Sequence, residues 1–145
     1  EVLNLAGKSN FFQKNVRAAL KIKHYSNKIC VYAYWLLGLP GTTSNTLKYN
    51  VETISKLLRE NIVDIVSPKI FIPYPGTEFY KNSEEYFSDN ISDNWDEYER
   101  RNPPFPYKYR NISDEEIYNG LMEIFDVFHR NLLYKRENIN EKLGL

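Results

Sequence analysis

Two short segments carry residue types and spacings suited to binding a ligand: Gly38-Leu39-Pro40-Gly41 and Pro73-Tyr74-Pro75-Gly76-Thr77. Each closes an apolar run that reads as a strand. Glycine lets a ligand approach the backbone without meeting a Cβ, and a helix that starts just after such a turn offers free N–H groups to an anion. The two segments stand about 35 residues apart at matching places in the chain. In α/β proteins the C-terminal ends of parallel strands are where loops and helix starts converge on ligands. Taken singly, each segment is also an ordinary tight turn, because glycine and proline punctuate turns everywhere.

Other chemistry-bearing residues form no comparable pattern. His24 sits at a helix end beside Lys21 and Lys23, and His129 lies between Phe128 and Arg130. Two histidines this far apart make no metal signature, and each reads as a surface residue. Cys30 reads as a small apolar filler at the start of a buried strand. Glu84, Glu85, Asp89, Asp93, Asp96 and Glu97 lack the spacing of a calcium loop and read as a solvated acidic face.

The elements that must position the two turns follow from the apolar pattern. Residues 9–24 read as a helix capped by Ser9 or Asn10, with Phe12, Val16, Ala19, Leu20 and Lys23 on one period and Asn27 as a left-handed turn residue after it. Residues 29–37 form a near-continuous apolar and aromatic run, which predicts a strand covered on both faces, as in a parallel sheet. Thr42, Thr43 and Ser44 are alternative caps of a helix over 44–60, whose stripe is Leu47, Val51, Ile54 and Leu58. A second buried strand is predicted over 62–72, with Pro68 demanding an edge or a bulge. Strand, amphipathic helix and strand make a βαβ unit.

After Tyr80 the chain becomes polar and aromatic, with Trp95, Tyr98, Phe105, Tyr107 and Tyr109 and three prolines at 103, 104 and 106. An extended or looped stretch around local helical turns is expected there. A last helix over 114–133 is predicted, with a Ser113–Glu116 capping box and a stripe of Ile117, Leu121, Ile124, Phe125, Phe128 and Leu132. Residues 135–145 are charged and are expected to fray.

With these elements in place, the sequence resembles a known family. Leu36-Leu37-Gly38-Leu39-Pro40-Gly41-Thr42-Thr43, then a helix, then Ile70-Phe71-Ile72-Pro73-Tyr74-Pro75-Gly76-Thr77-Glu78-Phe79-Tyr80 is similar to the C-terminal half of the radical S-adenosylmethionine barrel. The similarity is to the branch often paired with a cobalamin-binding domain. Glu1-Val2-Leu3-Asn4 with Gly7-Lys8 resembles that family's segment after its fourth strand. The resemblance covers residues 1–80 and extends to 81–145 only by analogy to a variable extension. It implies that Leu37, Gly38, Leu39, Pro40 and Gly41 shape the S-adenosylmethionine pocket, and that Ile72, Pro73, Tyr74 and Pro75 flank the adenine and the substrate cavity. Thr42 stands where the family has Glu, which keeps a cap and loses a carboxylate.

The resemblance also implies a [4Fe–4S] cluster that cleaves S-adenosylmethionine reductively to a 5′-deoxyadenosyl radical, with cobalamin left open. The Cys-x-x-x-Cys-x-x-Cys motif that holds this cluster is absent, and Cys30 is the sole cysteine. Three thiolates are needed to hold it with one iron open to the cosubstrate. The chain also opens on Glu1 rather than Met. The expectation is therefore an α/β fragment: part of a TIM-like (β/α) barrel with two or three parallel strands over residues 1–80, then an α-helical, loop-rich extension over 81–145. Alone it is expected to be inactive, with the rest of its own polypeptide as its partner. The long extension is expected to pack over the barrel mouth or its open side and to help define the substrate cavity.

Composition limits the other function classes. The 145 residues carry 19 Lys+Arg and 19 Asp+Glu, a formal net charge of zero, which argues against nucleic-acid or membrane binding driven by bulk charge. No apolar run approaches membrane-spanning length. A reducing, cytoplasmic setting is the expectation from one unpaired cysteine. Aromatics reach 15 %, so much of the burial must come from rings with polar tips. A half-barrel would leave an edge and one sheet face bare, which predicts self-association of the isolated chain. The competing expectation is a non-catalytic module that docks a partner through its aromatic surface.

Overall fold

A computed structural model describes residues 2, 11–89, 91, 92, 94–98 and 103–143, with side chains to 137. Ser9 and Asn10, most of the opening segment, and Asp93, Arg100 and Arg101 lie outside the described residues. The elements are α1 (Phe11–Tyr25), β1 (Tyr32–Leu37), α2 (Ser44–Arg59), β2 (Ile65–Ile70), one-turn helices α3 (Glu78–Lys81) and α4 (Ser83–Tyr86), a 3-10 turn (Trp95–Glu97), and α5 (Asp114–Leu143). Both strands are shorter than the apolar runs that contain them. α5 runs well past 133, so the charged stretch from 135 to Leu143 continues the helix.

β1 and β2 pair in parallel with Tyr32 opposite Ile65 and Leu37 opposite Ile70. Among the described residues they form a two-stranded sheet. Pro68 fits because β2 is an edge. The Phe71 N–H bonds the Leu37 carbonyl, and alternation along a parallel ladder turns Pro68 away from β1.

The sheet is covered on one face only, which corrects the expectation of a strand buried on both. Ala33, Trp35 and Leu37 lie beside Val66, Pro68 and Ile70 on the covered face. Tyr32, Tyr34 and Leu36 lie on the other with Ile65, Ser67 and Lys69; Tyr34 is 78 % exposed and Tyr32 50 %. An apolar run carries no alternation signal whether or not its second face finds a cover.

The predicted α2 stripe is borne out: Leu47, Val51, Ile54 and Leu58 are all buried, each worth roughly 1.5–3 kcal/mol on transfer from water. Thr43 is its cap, with Thr46 completing a reciprocal box. The helix ends where Asn61 takes φ of 55° and the Asn61 and Ile62 N–H groups bond the Leu58 and Leu57 carbonyls. That left-handed position belongs to Asn61; Asn27 has no positive φ.

α5 packs on α2 and β2. The approach to α2 is close at Gly120, where a Cβ would fall 2.6 Å from the Leu47 side chain. Its buried stripe is Ile117, Gly120, Ile124 and Asn131, while Leu132 and Phe125 face outward, contrary to the expected pattern. The Ser113–Glu116 box forms as predicted. α1 turns Phe12 edge-on to Trp35 at 5.8 Å and buries Ala19; Leu20 is exposed. Lys23 at its end pairs with Asp64, which also accepts from the Val31 N–H at 2.7 Å. This pair ties α1 to the starts of both strands. Cys30 is exposed ahead of β1, not buried within it.

Candidate functional site

Both glycine turns lie at one end of the sheet, because parallel strands in the observed register end side by side. The turn after β1 places Gly38 at φ 74° and Gly41 at φ 84°, conformations that side chains with a Cβ adopt at a cost. Thr42 is buried, and its hydroxyl donates to the Leu39 carbonyl at 2.6 Å. It locks the turn, and the capping role falls to Thr43. Ser44, at the start of α2, donates to Glu116 at 2.7 Å, and Glu116 also accepts from Ser113. These donors, the Ser44 hydroxyl foremost, hold the Glu116 carboxyl below its usual range.

The turn after β2 is built the same way. Gly76 has φ 87°, and the Thr77 N–H and hydroxyl both bond the Tyr74 carbonyl, at 3.1 and 2.6 Å. It leads into α3.

The strand ends are filled by the extension. Phe87 and Ser88 run alongside the 105–109 segment, with a Phe87–Tyr109 bridge and a Ser88 N–H to Lys108 carbonyl bond of 2.9 Å. This pairing carries Phe87, Phe105, Tyr107 and Tyr109 into one buried aromatic cluster. Tyr109 donates to the Tyr107 hydroxyl at 3.1 Å, and Tyr107 donates to the Phe71 carbonyl just past β2. A Cβ on Gly38 would collide with the Tyr109 hydroxyl and approach Ile117 at 3.1 Å. Burial pushes both phenols well above their ordinary pKa, for Tyr109 with the neighbouring Tyr107 adding to the effect.

The candidate residues are therefore brought to one place but are not equally accessible. Leu37, Gly38, Leu39, Pro40 and Pro73 are buried, Ile72 and Pro75 are half-buried, and Gly41 is exposed. Tyr74 is 51 % exposed, and its ring stacks on buried Tyr98 at 6.1 Å, with Trp95 also against Tyr98. Gly41, Tyr74 and the open sheet face remain exposed, and the rings of the extension occupy the space beside Gly38.

The donor set does not fit an iron–sulfur cluster within this chain. Cys30 is one thiol where three are needed, and it lies at the opposite end of β1 from the glycine turns. Among the described residues no group of three metal-ligating side chains comes together. Glu84, Glu85, Asp89 and Asp96 do not converge on a common point, and His24 and His129 are exposed on their helices.

The residues that sequence reasoning missed are Tyr107 and Tyr109, with Phe105 and Phe87. A signal was present: Phe105, Tyr107 and Tyr109 recur at every second position, which puts all three rings on one side of an extended chain. Compared with family models, curated proteins and solved structures, the chain finds no match.

Proposed function

We propose that this chain is the C-terminal part of a radical S-adenosylmethionine barrel and supplies one wall of the cosubstrate and substrate pocket. The observation that carries the reading is the placement of Gly38-Leu39-Pro40-Gly41 and Pro73-Tyr74-Pro75-Gly76-Thr77 side by side at the C-terminal ends of adjacent parallel strands. The bare face of that sheet supports it, since a half-barrel leaves its inner face uncovered. In this reading the chain binds and shapes; the cluster belongs to another part of the same polypeptide. Cobalamin has no assigned residue here.

The test is on the whole protein. Its reading frame is expected to encode Cys-x-x-x-Cys-x-x-Cys ahead of Glu1, and the anaerobic protein is expected to release 5′-deoxyadenosine from S-adenosylmethionine under reduction. A frame without that motif overturns the reading, and so does a cluster-loaded protein that leaves S-adenosylmethionine intact.

A second reading is favoured by the exposed Tyr32, Tyr34 and Leu36: a docking module whose aromatic sheet face receives a partner chain. The same reading frame separates the two, because a docking module needs no cluster motif.

A further inference from the structure

Away from the glycine turns, the α2–α5 interface opens into a cleft of about 440 Å³. Ser55, Arg59 and Asn61 line it from α2 and its terminal turn, and Arg130, Asn131 and Lys135 from α5. Its volume falls within the range of small-molecule sites. Three of these six residues are cationic. Arg130 is held by Asp126 one turn earlier. Arg59 and Lys135 make no ion pair among the described residues, and Lys135 is held only loosely by the field of Asp64, which is already bonded to Lys23.

The usual objection to an anion at this place is the negative end of α2. That end is partly satisfied: the Leu57 and Leu58 carbonyls are taken by the Asn61, Ile62 and Val63 N–H groups. Fewer free carbonyls at the helix terminus therefore offset the cations.

A second observation points to a ligand. Asn131 is 8 % exposed, and its side-chain oxygen is buried without a hydrogen-bond partner. It stands in the stripe of α5 where an apolar residue would pack at no polar cost. Buried polar groups without partners are rare in folded proteins, because their lost hydration goes uncompensated.

We infer that this cleft binds a phosphorylated small molecule that also carries a hydroxyl or amine donor. Arg59 and Lys135 take the phosphate, and Arg59 offers two parallel N–H donors to its oxygens. The donor of the ligand satisfies the Asn131 amide, whose terminal torsion is soft enough to turn toward it. The inference is independent of the proposed barrel chemistry and survives or fails separately from it.

Calorimetric titration of the chain with ribose 5-phosphate, and separately with inorganic phosphate and with ribose, tests it. Ribose 5-phosphate is expected to bind about tenfold or more tightly than inorganic phosphate, and ribose not measurably. Arg59→Gln with Lys135→Gln is expected to weaken ribose 5-phosphate about tenfold or more while leaving the melting curve nearly unchanged, since Arg59 is exposed, Lys135 is half-buried and neither is in an ion pair among the described residues. Asn131→Leu is expected to reduce ribose 5-phosphate binding to the level of inorganic phosphate while melting no lower than wild type. No binding of ribose 5-phosphate, equal binding of inorganic phosphate, or binding indifferent to the paired Arg59 and Lys135 changes overturns it. If Asn131→Leu fails to fold, the phosphate comparison and the paired surface variant decide alone.

Discussion

The two faces of the β1–β2 sheet are both rich in aromatic and aliphatic residues on β1, differ on β2 where Ser67 and Lys69 stand on one face only, and have opposite fates. On one, Trp35, Leu37, Val66 and Pro68 lie beneath α1, α2 and α5, and Trp35 donates to Asn50 at 2.9 Å. On the other, Tyr32 and Tyr34 lean on each other at 5.0 Å with no described element above them. A parallel pair of strands is ordinarily buried on both faces and extended by neighbours. The difference teaches that this chain stabilises its sheet from the helix side and from the strand ends, where the extension inserts four aromatic rings.

The sharpest way to break that comparison is at the strand ends. Gly38→Ala must hold φ 74° with a Cβ and push against the Tyr109 hydroxyl. The expected loss is about 3 kcal/mol, of which about 1–2 is the left-handed conformation and the rest the clash. Adding Tyr109→Phe removes the nearest atom that the new Cβ meets, while the ring carbon at 3.0 Å and Ile117 at 3.1 Å remain. A double-mutant cycle by chemical denaturation is therefore expected to recover part of the steric loss and leave the conformational part. Additive losses would show that the extension does not sit against Gly38.

The hydroxyl chain from Tyr109 through Tyr107 to the Phe71 carbonyl comes next in size. Tyr107→Phe leaves two buried groups without their partner, at an expected cost of about 1–2 kcal/mol. Both phenols are raised in the folded state, so the unfolded chain loses these protons first as pH climbs. Their contribution is complete below about pH 10, the ordinary tyrosine value, and is lost as pH rises beyond it. Wild type is expected to unfold in alkali from that point, and Tyr107→Phe to show a shallower decline because one fewer raised phenol is present. A parallel decline would place the alkaline loss elsewhere.

Much of this architecture is legible in the sequence, and the omissions have physical causes. The stripe of α2, the Ser113–Glu116 box and the placement of both glycine turns follow from local periodicity and capping, which depend on neighbours in sequence. The bare sheet face is expected only from the half-barrel reading; the apolar run of β1 does not show it, because Tyr32 and Tyr34 have the same composition whether covered or not, and Ser67 and Lys69 on β2 are its local trace. Cys30 and Leu132 read as interior residues and stand outside for the same reason: burial depends on which elements arrive from far along the chain. At the candidate site, the turns are legible and so is the packing of the extension against them, but not that Tyr107 and Tyr109 are the residues that do it, since that contact spans about 70 residues. The alternation of Phe105, Tyr107 and Tyr109 is the one local trace of it.

At the other end of the sheet the expected effect is smaller. Burial pushes the Asp64 carboxyl up, but the Lys23 bond and the Val31 N–H outweigh it and leave the pKa below the usual range. A lowered carboxyl stabilises the fold above its unfolded value, near 3.9, and loses that contribution as pH falls through the folded value. Asp64→Asn is expected to cost about 1 kcal/mol at neutral pH, discounted for a side chain 29 % exposed. Thermal melts at pH 7 and pH 3 are expected to converge for the two proteins in acid. A gap that persists at pH 3 would separate the effect from ionisation.

The smallest change in stability is expected where the exposed area is greatest. Tyr34→Ser with Leu36→Ser removes a ring and a branched aliphatic chain from the bare face without touching the helices or the strand ends. Exposed surface positions move stability by about 0.5 kcal/mol or less, and the exposed Tyr32–Tyr34 ring contact adds little to that. Association is a different matter, because two copies that meet through this face bury Tyr32, Tyr34, Leu36 and Ile65 from each side. Wild type is expected to sediment as larger species at high micromolar concentration and the double variant as monomer, with equal melting curves. A wild-type monomer under those conditions would mean that the bare face tolerates water unaided. If the variant instead melts well below wild type, the two faces of the sheet are energetically alike and the one-sided account of this fold is wrong.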